Sequence, residues 1–317
     1  MNNKEKINQL RKLIYSNLNP LINNKCLLLD APYYHNIGDV LIWAGEECFL
    51  KNNGISCLYT ASYETCTFPK IDTNTTIIFN GGGNLGDIYH EHIEFLIHIS
   101  KVYPKNRIIV CPQTVFYQDN AILETDFSQL ALHNDLYFCA RDGHVFKMVS
   151  NFFREKTLLV PDMAFCIDND ILTKYIKPTT KSKLIIARND VEKSINNRIS
   201  DHGDISDWPV IEHSFRDTTF INKLFKKVAD SKIPLITNLS NRIWNNYAPL
   251  FKNMMIKEGV EFISPYKEIE TTRLHGCILS ILLDKNIILC DNSYGKNRNF
   301  YDTWLNDIDT LSLKNKR

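Results

Sequence analysis

Short apolar runs rich in β-branched residues alternate with longer, helically periodic segments in the first half of this chain. Strands are predicted at residues 25–32, 75–79, 107–112, 136–140 and 157–160, with helices between them, for example at 39–51 and within 87–103. Strands that are apolar on both faces and separated by helices are typical of a parallel sheet with helices packed on both sides. The sequence therefore predicts an α/β fold.

A second series of the same kind follows a polar stretch at residues 161–183, which we interpret as a linker. Strands are predicted at 183–187, 234–238, 260–264 and 286–291, and helices at 218–230, 244–258 and 271–284. We expect two Rossmann-like, doubly wound parallel-sheet domains, residues 1–165 and 166–317. The carboxyl ends of their strands would wall a cleft between them, where ligands bind. This division leaves the last helix able to pack back on the N-terminal domain.

Composition limits the classes of function. The chain has 317 residues, enough for two domains, and a formal net charge of +1, so nucleic acid is not an expected partner. No run approaches the roughly 18 apolar residues of a membrane span, and residues 1–19 lack the apolar segment of a signal peptide. The nine cysteines are scattered without a C-x-x-C pair, which argues against a zinc site or a disulfide framework. We therefore expect a cytoplasmic protein without a metal.

The first candidate loop, YYHNIGD at residues 33–39, leaves the first predicted strand and enters a helix; its last five residues, 35–39, are HNIGD. Gly38 lets the backbone approach a ligand closely, and the start of the helix offers free N–H groups. Asp39 either takes part in chemistry or caps the helix, and a cap alone would explain it.

The second candidate loop, NGGGNLGD at residues 80–87, follows the predicted strand at 75–79. Its glycines spell G-x-G-x-x-G, but the loop does not follow the first strand, and the next strand ends without the acidic residue that would hold a ribose. Nicotinamide binding is therefore not expected. The loop still offers an N–H-rich surface for a phosphate or for sugar hydroxyls. A turn without a ligand is the alternative, although three consecutive glycines exceed what a turn needs.

The third candidate loop, ETTRLHG at residues 270–276, opens an apolar helix. With Thr271 or Thr272 as the cap, Arg273 and His275 lie in the first turn, where a cation opposes the helix dipole at a cost of roughly 0.3–1 kcal/mol. An anion docked between the dipole and Arg273 would explain this arrangement; a surface arginine and a core histidine are the alternative. Further cations end strands or follow the last one: Arg141, Arg188, Lys296 and Arg298. Arginines that converge on one cleft would bind carboxylate or phosphate.

Six motifs occur together in this order: HNIGD, NGGGNLGD, ARD at 140–142, VPD at 160–162, TTRLHG at 271–276 and DNSYGKN at 291–297. In this order and spacing the chain resembles the polysaccharide pyruvyl transferase family from about residue 33 to residue 300. The resemblance implies two domains arranged as in the B-type glycosyltransferases. It implies phosphoenolpyruvate as donor, a co-substrate rather than a cofactor, and a sugar diol, often lipid-linked, as acceptor. Such a transferase forms pyruvate ketals in exopolysaccharide, capsule or cell-wall polysaccharide biosynthesis, and a lipid-linked acceptor would bring it to the inner face of the membrane.

The resemblance assigns Arg273, Leu274 and His275 to the donor and implies a further donor-binding arginine upstream, for which we favour Arg141 over Arg188. Lys296 or Arg298 would assist them. His275 is the expected catalytic acid because histidine side chains ordinarily exchange protons near neutral pH, and Asp39 or Asp87 would accept a proton from the sugar hydroxyl. The C-terminal domain would then be the donor side. The residues predicted to bind acceptor or phosphate on the N-terminal side are His35, Asn36, Gly38, Gly81, Gly82, Gly83, Asn84 and Asp87.

Two other classes of function fit the same architecture. A nucleotide-sugar glycosyltransferase would place its cations on a diphosphate, but the last helix–strand unit offers only Asp284 and Asp291, poorly placed, to hold a ribose. A non-catalytic glycan- or anion-binding protein is the third class. The presence of His275 among the cations argues against it.

Overall fold

The computed structural model describes residues 1–188, 202–209, 234–291 and 295–314, and for residues 234–245 it describes the backbone alone. Within these residues the chain forms a seven-stranded sheet and a five-stranded sheet. Every strand pair in them is parallel. The predicted α/β fold with two parallel sheets is confirmed.

The first sheet has the strand order β2-β1-β3-β5-β6-β7, and β4 pairs with β5 beside this path. Its strands are β1 (Lys25–Leu29), β2 (Ser56–Ala61), β3 (Thr76–Phe79), β4 (Gly82–Gly86), β5 (Ile108–Phe116), β6 (Leu136–Ala140) and β7 (Thr157–Leu159). The chain moves outward from β1 to β2 and then returns to the other side of β1 with β3. Such a switch point leaves a crevice at the carboxyl ends of the two strands, where ligands bind. The HNIGD loop follows β1. The NGGGNLGD segment at residues 80–87, called the glycine motif below, follows β3.

Helices cover both faces of this sheet because side chains alternate along each strand. Leu28 packs in one core cluster with Trp43 of α2, whereas Leu27 and Phe79 pack in another with Leu96 of α3. The helices in this half of the chain are α1 (Asn3–Leu18), α2 (Ile37–Asn52), α3 (His90–Val102), α4 (Asn120–Ala131), α5 (Gly143–Phe153) and α6 (Asn169–Thr173).

The second sheet has the order β12-β11-β10-β8-β9, so its switch point lies between β8 and β10. Its strands are β8 (Lys181–Ile186), β9 (Asp204–Ser206), β10 (Tyr266–Thr271), β11 (Asn286–Cys290) and β12 (Leu311–Lys314). The helices described here are α7 (Pro234–Ile263), α8 (Leu274–Leu282) and α9 (Lys296–Phe300), which continues into a wider π-type turn at Tyr301–Leu305. Arg188 follows β8 and the RLH segment follows β10. In both sheets, therefore, predicted site residues follow the two strands at the switch point, whereas Arg141 follows β6 and Lys296 and Arg298 follow β11.

Two predicted strands are wrong. Residues 234–238 and 260–263 both lie in α7, and the strand of this region is β10, at Tyr266–Thr271. A short apolar run cannot be assigned by itself, because a buried strand and a buried helix look alike over four or five residues. Taken together, Phe251, Met255, Ile256, Val260 and Ile263 have helical spacing, and all are buried. The helix predicted at 218–230 lies outside the described residues.

The predicted linker begins with a buried turn rather than an exposed one. Met163–Cys166 forms a short 3₁₀ turn in which all four side chains are buried. The Arg11 side chain of α1 donates hydrogen bonds to the carbonyl oxygens of Phe165 and Ile167, at 3.0 and 2.9 Å. A polar, weakly periodic sequence therefore does not distinguish an exposed linker from a turn held in the core.

The two halves of the chain contact each other near both termini. Lys6 of α1 pairs with Asp307 at 2.7 Å, and the Trp304 indole donates to the carbonyl oxygen of Arg141 at 2.7 Å. The Thr303 hydroxyl accepts a hydrogen bond from the backbone N–H of Gly143 at 3.1 Å. Each contact crosses the division expected at residues 165 and 166, and that division stays a prediction.

Candidate active site

The HNIGD loop joins β1 to α2, and Asn36 rather than Asp39 caps the helix. Asn36 Oδ1 accepts a hydrogen bond from the backbone N–H of Gly38 at 2.9 Å. Asp39 lies in the first helical turn and is buried. Its Oδ2 accepts from the Tyr34 hydroxyl at 2.9 Å, and its Oδ1 has no hydrogen-bond partner among the described residues. The helix-cap explanation of Asp39 is therefore wrong, and one carboxylate oxygen stays available to a ligand.

Tyr34 ties the HNIGD loop to the glycine motif. Its hydroxyl donates to Asp39 and accepts a hydrogen bond from the Asn84 side-chain amide at 2.6 Å. Burial, and then the nearby carboxylates of Asp39 and Asp30, raise the pKa of Tyr34 well above its ordinary value, so it stays a neutral phenol and keeps its donor proton. The sequence places Tyr34 in the first candidate loop but predicts no role for it.

The glycine motif is a short strand rather than the predicted free loop, since Gly82–Gly86 forms β4 beside β5. Gly82 and Gly86 have φ angles of +150° and +156°, which L side chains rarely adopt. A β-carbon on Gly86 would lie 1.8 Å from the carbonyl oxygen of Phe116, so this glycine is required by packing alone. The Gly81 N–H donates to Glu46 Oε1 at 2.8 Å, which fixes the start of the motif on α2.

Asp87, the second candidate proton acceptor, is engaged with backbone. Its Oδ2 accepts hydrogen bonds from the N–H groups of Gln118 and Asp119, at 2.6 and 3.0 Å, and so fixes the chain before α4. Asp39 Oδ1, in contrast, lies 3.8 Å from the position that a β-carbon on Gly82 would take. Both carboxylates keep one oxygen without a hydrogen-bond partner among the described residues, but Asp87 Oδ1 is buried, and Asp39 Oδ1 is the one that borders Gly82.

Asp162 joins Arg141 and His275, the predicted donor-binding arginine and the predicted acid. Its Oδ2 lies 2.9 Å from Arg141 NH1 and 3.3 Å from His275 Nε2. The Arg141 guanidinium also donates to the Thr114 hydroxyl from Nε and NH2, at 3.0 and 2.6 Å. Burial raises the pKa of Asp162, but His275 and then Arg141 outweigh it and hold that pKa well below its ordinary value. The sequence analysis noted Asp162 only as part of VPD, and it did not predict Thr114.

Residues of the second sheet's loops lie directly on the glycines of the first. A β-carbon on Gly38 would stand 2.4 Å from His275 Nδ1. One on Gly83 would stand 2.5 Å from Lys296 Nζ and 3.4 Å from Arg141 NH2. The structure therefore brings His275, Lys296 and Arg141 together with both N-terminal motifs, and two cations border the backbone of Gly83.

Arg273 is the N-cap residue of α8 rather than a residue of its first turn, so the predicted capping by Thr271 or Thr272 is wrong. The Thr271 hydroxyl instead accepts a hydrogen bond from the backbone N–H of Arg273 at 3.0 Å. The Arg273 guanidinium forms a two-pronged ion pair with Asp207, in which NH2 lies 2.6 Å from Oδ2. The structure thus gives the predicted donor-binding Arg273 a carboxylate partner from the protein itself.

The other predicted residues take more peripheral places. Leu274 is buried in the core, and the ring of exposed His35 lies 5.7 Å from that of Phe251 in α7. Arg298 lies beside Asp291, with 3.9 Å between Nε and Oδ2 and a backbone N–H bond to Oδ1 at 3.2 Å. Lys296 rather than Arg298 is therefore the cation of this loop that contacts the glycine motif.

A second buried acid–histidine pair lies beside Tyr34. Asp30 follows β1 with a positive φ of 66°, and its Oδ2 lies 2.7 Å from His92 Nδ1 of α3. The His92 ring makes edge-on contacts with Tyr34 and Tyr63, at 6.4 and 5.1 Å between centroids. The sequence analysis did not find this pair, because its members stand 62 residues apart in the chain.

The described ranges contain neither a candidate membrane span nor a candidate metal site. In these ranges no helix has the length and apolar character needed to cross a membrane. No group of three or more histidine, cysteine, aspartate or glutamate side chains is placed to hold a metal ion there.

Comparison with known proteins decides the family. The model of the polysaccharide pyruvyl transferase family matches residues 36–294. The chain belongs to this family. The family is one of transferase enzymes. The match begins within HNIGD, includes the NGGGNLGD, ARD, VPD and TTRLHG motifs, and ends within DNSYGKN.

Three curated relatives extend the comparison. EpsO of Bacillus subtilis, named as a candidate pyruvyl transferase, is 31% identical over 92% of this chain and 88% of its own. Pyruvyl transferase 1 of Schizosaccharomyces pombe is 27% identical over 91% of this chain and 72% of its own. General stress protein 30 of Bacillus subtilis is 28% identical over 97% of this chain and 87% of its own.

A solved structure of a Klebsiella pneumoniae protein of uncharacterised function supports the fold. It superposes with a TM-score of 0.61 over 99% of both chains, at 20% identity. At that identity the comparison concerns the fold of this pyruvyl transferase family member and not its substrates.

Proposed function

We propose that this protein transfers pyruvate from phosphoenolpyruvate to two hydroxyls of one sugar, forming a cyclic ketal and releasing phosphate. The observation that carries the proposal is the meeting of Arg141, His275 and Lys296 over the backbone of Gly38 and Gly83. This arrangement combines cations that suit an anionic donor with a histidine that can deliver a proton. The family to which the chain belongs points to the same reaction.

The donor carries a phosphate and a carboxylate, and both need positive partners. Lys296 and Arg141 border Gly83, and backbone N–H groups of a glycine-rich segment suit phosphate oxygens. Arg273, at the N-terminus of α8, is the partner we assign to the donor's carboxylate. In this assignment the donor's carboxylate competes with Asp207 for the Arg273 guanidinium.

The reaction needs one positioned acid and a group that accepts a hydroxyl proton. His275 protonates the vinyl CH₂ of phosphoenolpyruvate, which becomes the methyl group, while one sugar hydroxyl bonds to the central carbon. Phosphate then leaves, and the second hydroxyl bonds to the same carbon. Asp39 Oδ1 accepts the proton of the attacking hydroxyl. Of the two hydroxyl protons, one replaces the proton that His275 gave up, and the other leaves with phosphate.

The acceptor side is the surface formed by the HNIGD loop and the glycine motif, where Tyr34 fixes Asp39 and Asn84. We assign the acceptor to a sugar of an exopolysaccharide, capsule or cell-wall polysaccharide, built in the cytoplasm and carried on a lipid. The family's description supports the polysaccharide context of this assignment.

The donor is tested by titration calorimetry with phosphoenolpyruvate and, separately, with a panel of nucleotide sugars. We expect the protein to bind phosphoenolpyruvate and none of the nucleotide sugars. Binding of a nucleotide sugar without phosphoenolpyruvate would instead indicate a glycosyltransferase of the same architecture.

The acid is tested in D₂O by following deuterium in the pyruvyl methyl group of the product. His275→Gln keeps a similar size but cannot deliver a proton, so labelling and turnover should fall by about 10²–10⁴-fold. His35→Gln is the matched comparison, because His35 lies in the facing loop and is the rival acid; it should label the methyl group like wild type, whatever its effect on acceptor binding. If His275→Gln labelled and turned over like wild type while His35→Gln did not, His35 would be the acid.

A further inference from the structure

We propose that Asp162 is a positioning residue of this active site, which holds the His275 ring and the Arg141 guanidinium from one oxygen and turns His275 Nδ1 towards the HNIGD loop. This inference rests on the proposed function, in which His275 is the acid. In this proposal Asp162, from a buried turn, supports the reaction, and each ring nitrogen of His275 has a specific role.

Asp162 is held on every side. It is fully buried, its Oδ1 accepts from the backbone N–H of Ala164 at 2.9 Å, and its Oδ2 faces Arg141 and His275. Buried carboxylates with such partners stay ionised and have little freedom to move. Because the carboxylate is fully buried behind these partners, we assign it no direct contact with a substrate.

The backbone that carries Asp162 is equally fixed. Asp162 caps the turn Met163–Cys166, and the turn packs directly on α2 at Gly45, where a β-carbon would lie 1.9 Å from the Met163 carbonyl oxygen. The same helix begins with the HNIGD loop. Asp162 is therefore positioned relative to Gly38 through one rigid element, and its bond to His275 transfers that position to the ring.

The geometry gives each ring nitrogen a different task. Nε2 donates its proton to Asp162 at 3.3 Å, whereas Nδ1 has no hydrogen-bond partner among the described residues and lies against Gly38. When the ring is protonated, its available proton is therefore the one on Nδ1. After Nδ1 has delivered that proton, the neutral ring keeps its Nε2–H on Asp162. The carboxylate does not take this proton, because His275 and Arg141 hold the pKa of Asp162 low in spite of its burial.

The competing explanation is that Asp162 only neutralises Arg141. Thr114 offers a way to separate the two roles, since its hydroxyl accepts from Arg141 Nε and NH2, and no hydrogen bond joins it to His275. Thr114→Val loosens Arg141 alone. Asp162→Asn keeps the shape and the cap on Ala164 but loses the charge that orients both partners.

The test combines kinetics with ¹⁵N NMR of histidine-labelled full-length protein, the His275 signals being assigned by their loss in His275→Gln. Above the pH at which the ring loses its proton, wild type should show His275 protonated at Nε2. Asp162→Asn should lose this fixed tautomer and lower kcat by about 10²-fold, the cost of a misplaced catalytic group. Thr114→Val should keep the tautomer and raise KM for phosphoenolpyruvate more than it lowers kcat.

Two results would overturn the proposal: a wild-type ring protonated at Nδ1 with Nε2 bare, or Asp162→Asn with wild-type kcat. The first needs no variant, so the test stands even if Asp162→Asn does not fold. The ring tautomer does not depend on the reaction. Normal turnover by His275→Gln would therefore end the proposed acid role while leaving the Asp162–His275 pairing intact.

Discussion

The imidazole of His275 occupies the space that a side chain on Gly38 would fill. A β-carbon on Gly38 would stand 2.4 Å from Nδ1 and 2.8 Å from Cγ of that ring. Gly38 belongs to the loop after β1 and His275 to the helix after β10, so the two switch points meet at this contact. The predicted acid thus lies against the predicted acceptor loop only because residue 38 has no side chain.

Gly38→Ala is expected to displace His275 and lower kcat by about 10²-fold. The added methyl group should cost the fold no more than about 1–3 kcal/mol. Gly143→Ala is the matched control, because Gly143 also lies at the start of a helix and its β-carbon would have an ordinary contact, 3.6 Å from the Thr303 hydroxyl. Steady-state kinetics with thermal unfolding distinguishes the two variants. Full activity in Gly38→Ala would show that the ring position is not needed.

Gly83→Ala tests the cations over the glycine motif. Its β-carbon would stand 2.5 Å from Lys296 Nζ, the end of a flexible side chain, so the fold should tolerate it. We expect KM for phosphoenolpyruvate to rise about tenfold or more. This is the effect of losing one hydrogen bond to a charged group, which contributes roughly 1.5–3 kcal/mol. Gly82→Val is a poorer test, because the φ of +150° at Gly82 strains any side chain. An unchanged KM in a folded Gly83→Ala would place the donor elsewhere.

Variants of Arg273 and of its partner Asp207 distinguish a donor-binding role of Arg273 from a purely structural role. Arg273→Ala should weaken phosphoenolpyruvate binding by about 1.5–3 kcal/mol, measured by calorimetry. Asp207→Asn removes the carboxylate that pairs with Arg273, so this variant should bind phosphoenolpyruvate at least as tightly as wild type. Equal weakening by both variants would mean that the ion pair matters for structure and that Arg273 does not bind the donor.

Glu46 predicts a specific pH dependence of stability. Burial raises its pKa to about 8, although hydrogen bonds from the Gly81 N–H and from the Cys111 thiol act in the opposite direction. Between its ordinary pKa and about 8 the folded protein holds a proton that the unfolded chain has lost, so stability falls as pH rises through this window. The slope for one such group is about 1.4 kcal/mol per pH unit.

Glu46→Gln mimics the protonated side chain and can keep the bond to Gly81. The free energy of unfolding of this variant, measured with urea from pH 5 to pH 9, should fall less than that of wild type. The difference between the two proteins isolates Glu46, because all other titrating groups contribute equally to both. Parallel curves for the two proteins would mean that Glu46 is ionised in the folded state.

The first sheet could be predicted largely from sequence, because its strands are separated by helices with clear periodicity. The run at 136–140 matches β6 fully, and the runs at 75–79 and 157–160 match β3 and β7 within one residue. Beyond residue 230 the same reasoning failed at two apolar runs, since α7 continues through both. There, burial against α2 and α8 rather than local preference decides the conformation, and four or five residues do not reveal it.

The sequence by itself determined the family, the α/β class and the motifs that carry His275, Arg273, Gly38 and Gly83, because close backbone approach and strand–helix alternation leave local patterns. Only the tertiary structure decided what these residues contact. Asp162 joins Arg141 to His275, Asp207 pairs with Arg273, and Tyr34 ties Asp39 to Asn84. Except for Tyr34 and Asp39, which are five residues apart, these partners stand 21 to 113 residues apart in the chain and meet because parallel strands bring their carboxyl ends to one edge. The spacing of residues in the sequence does not show which strands become neighbours, because the order of the strands in the sheet is fixed by packing.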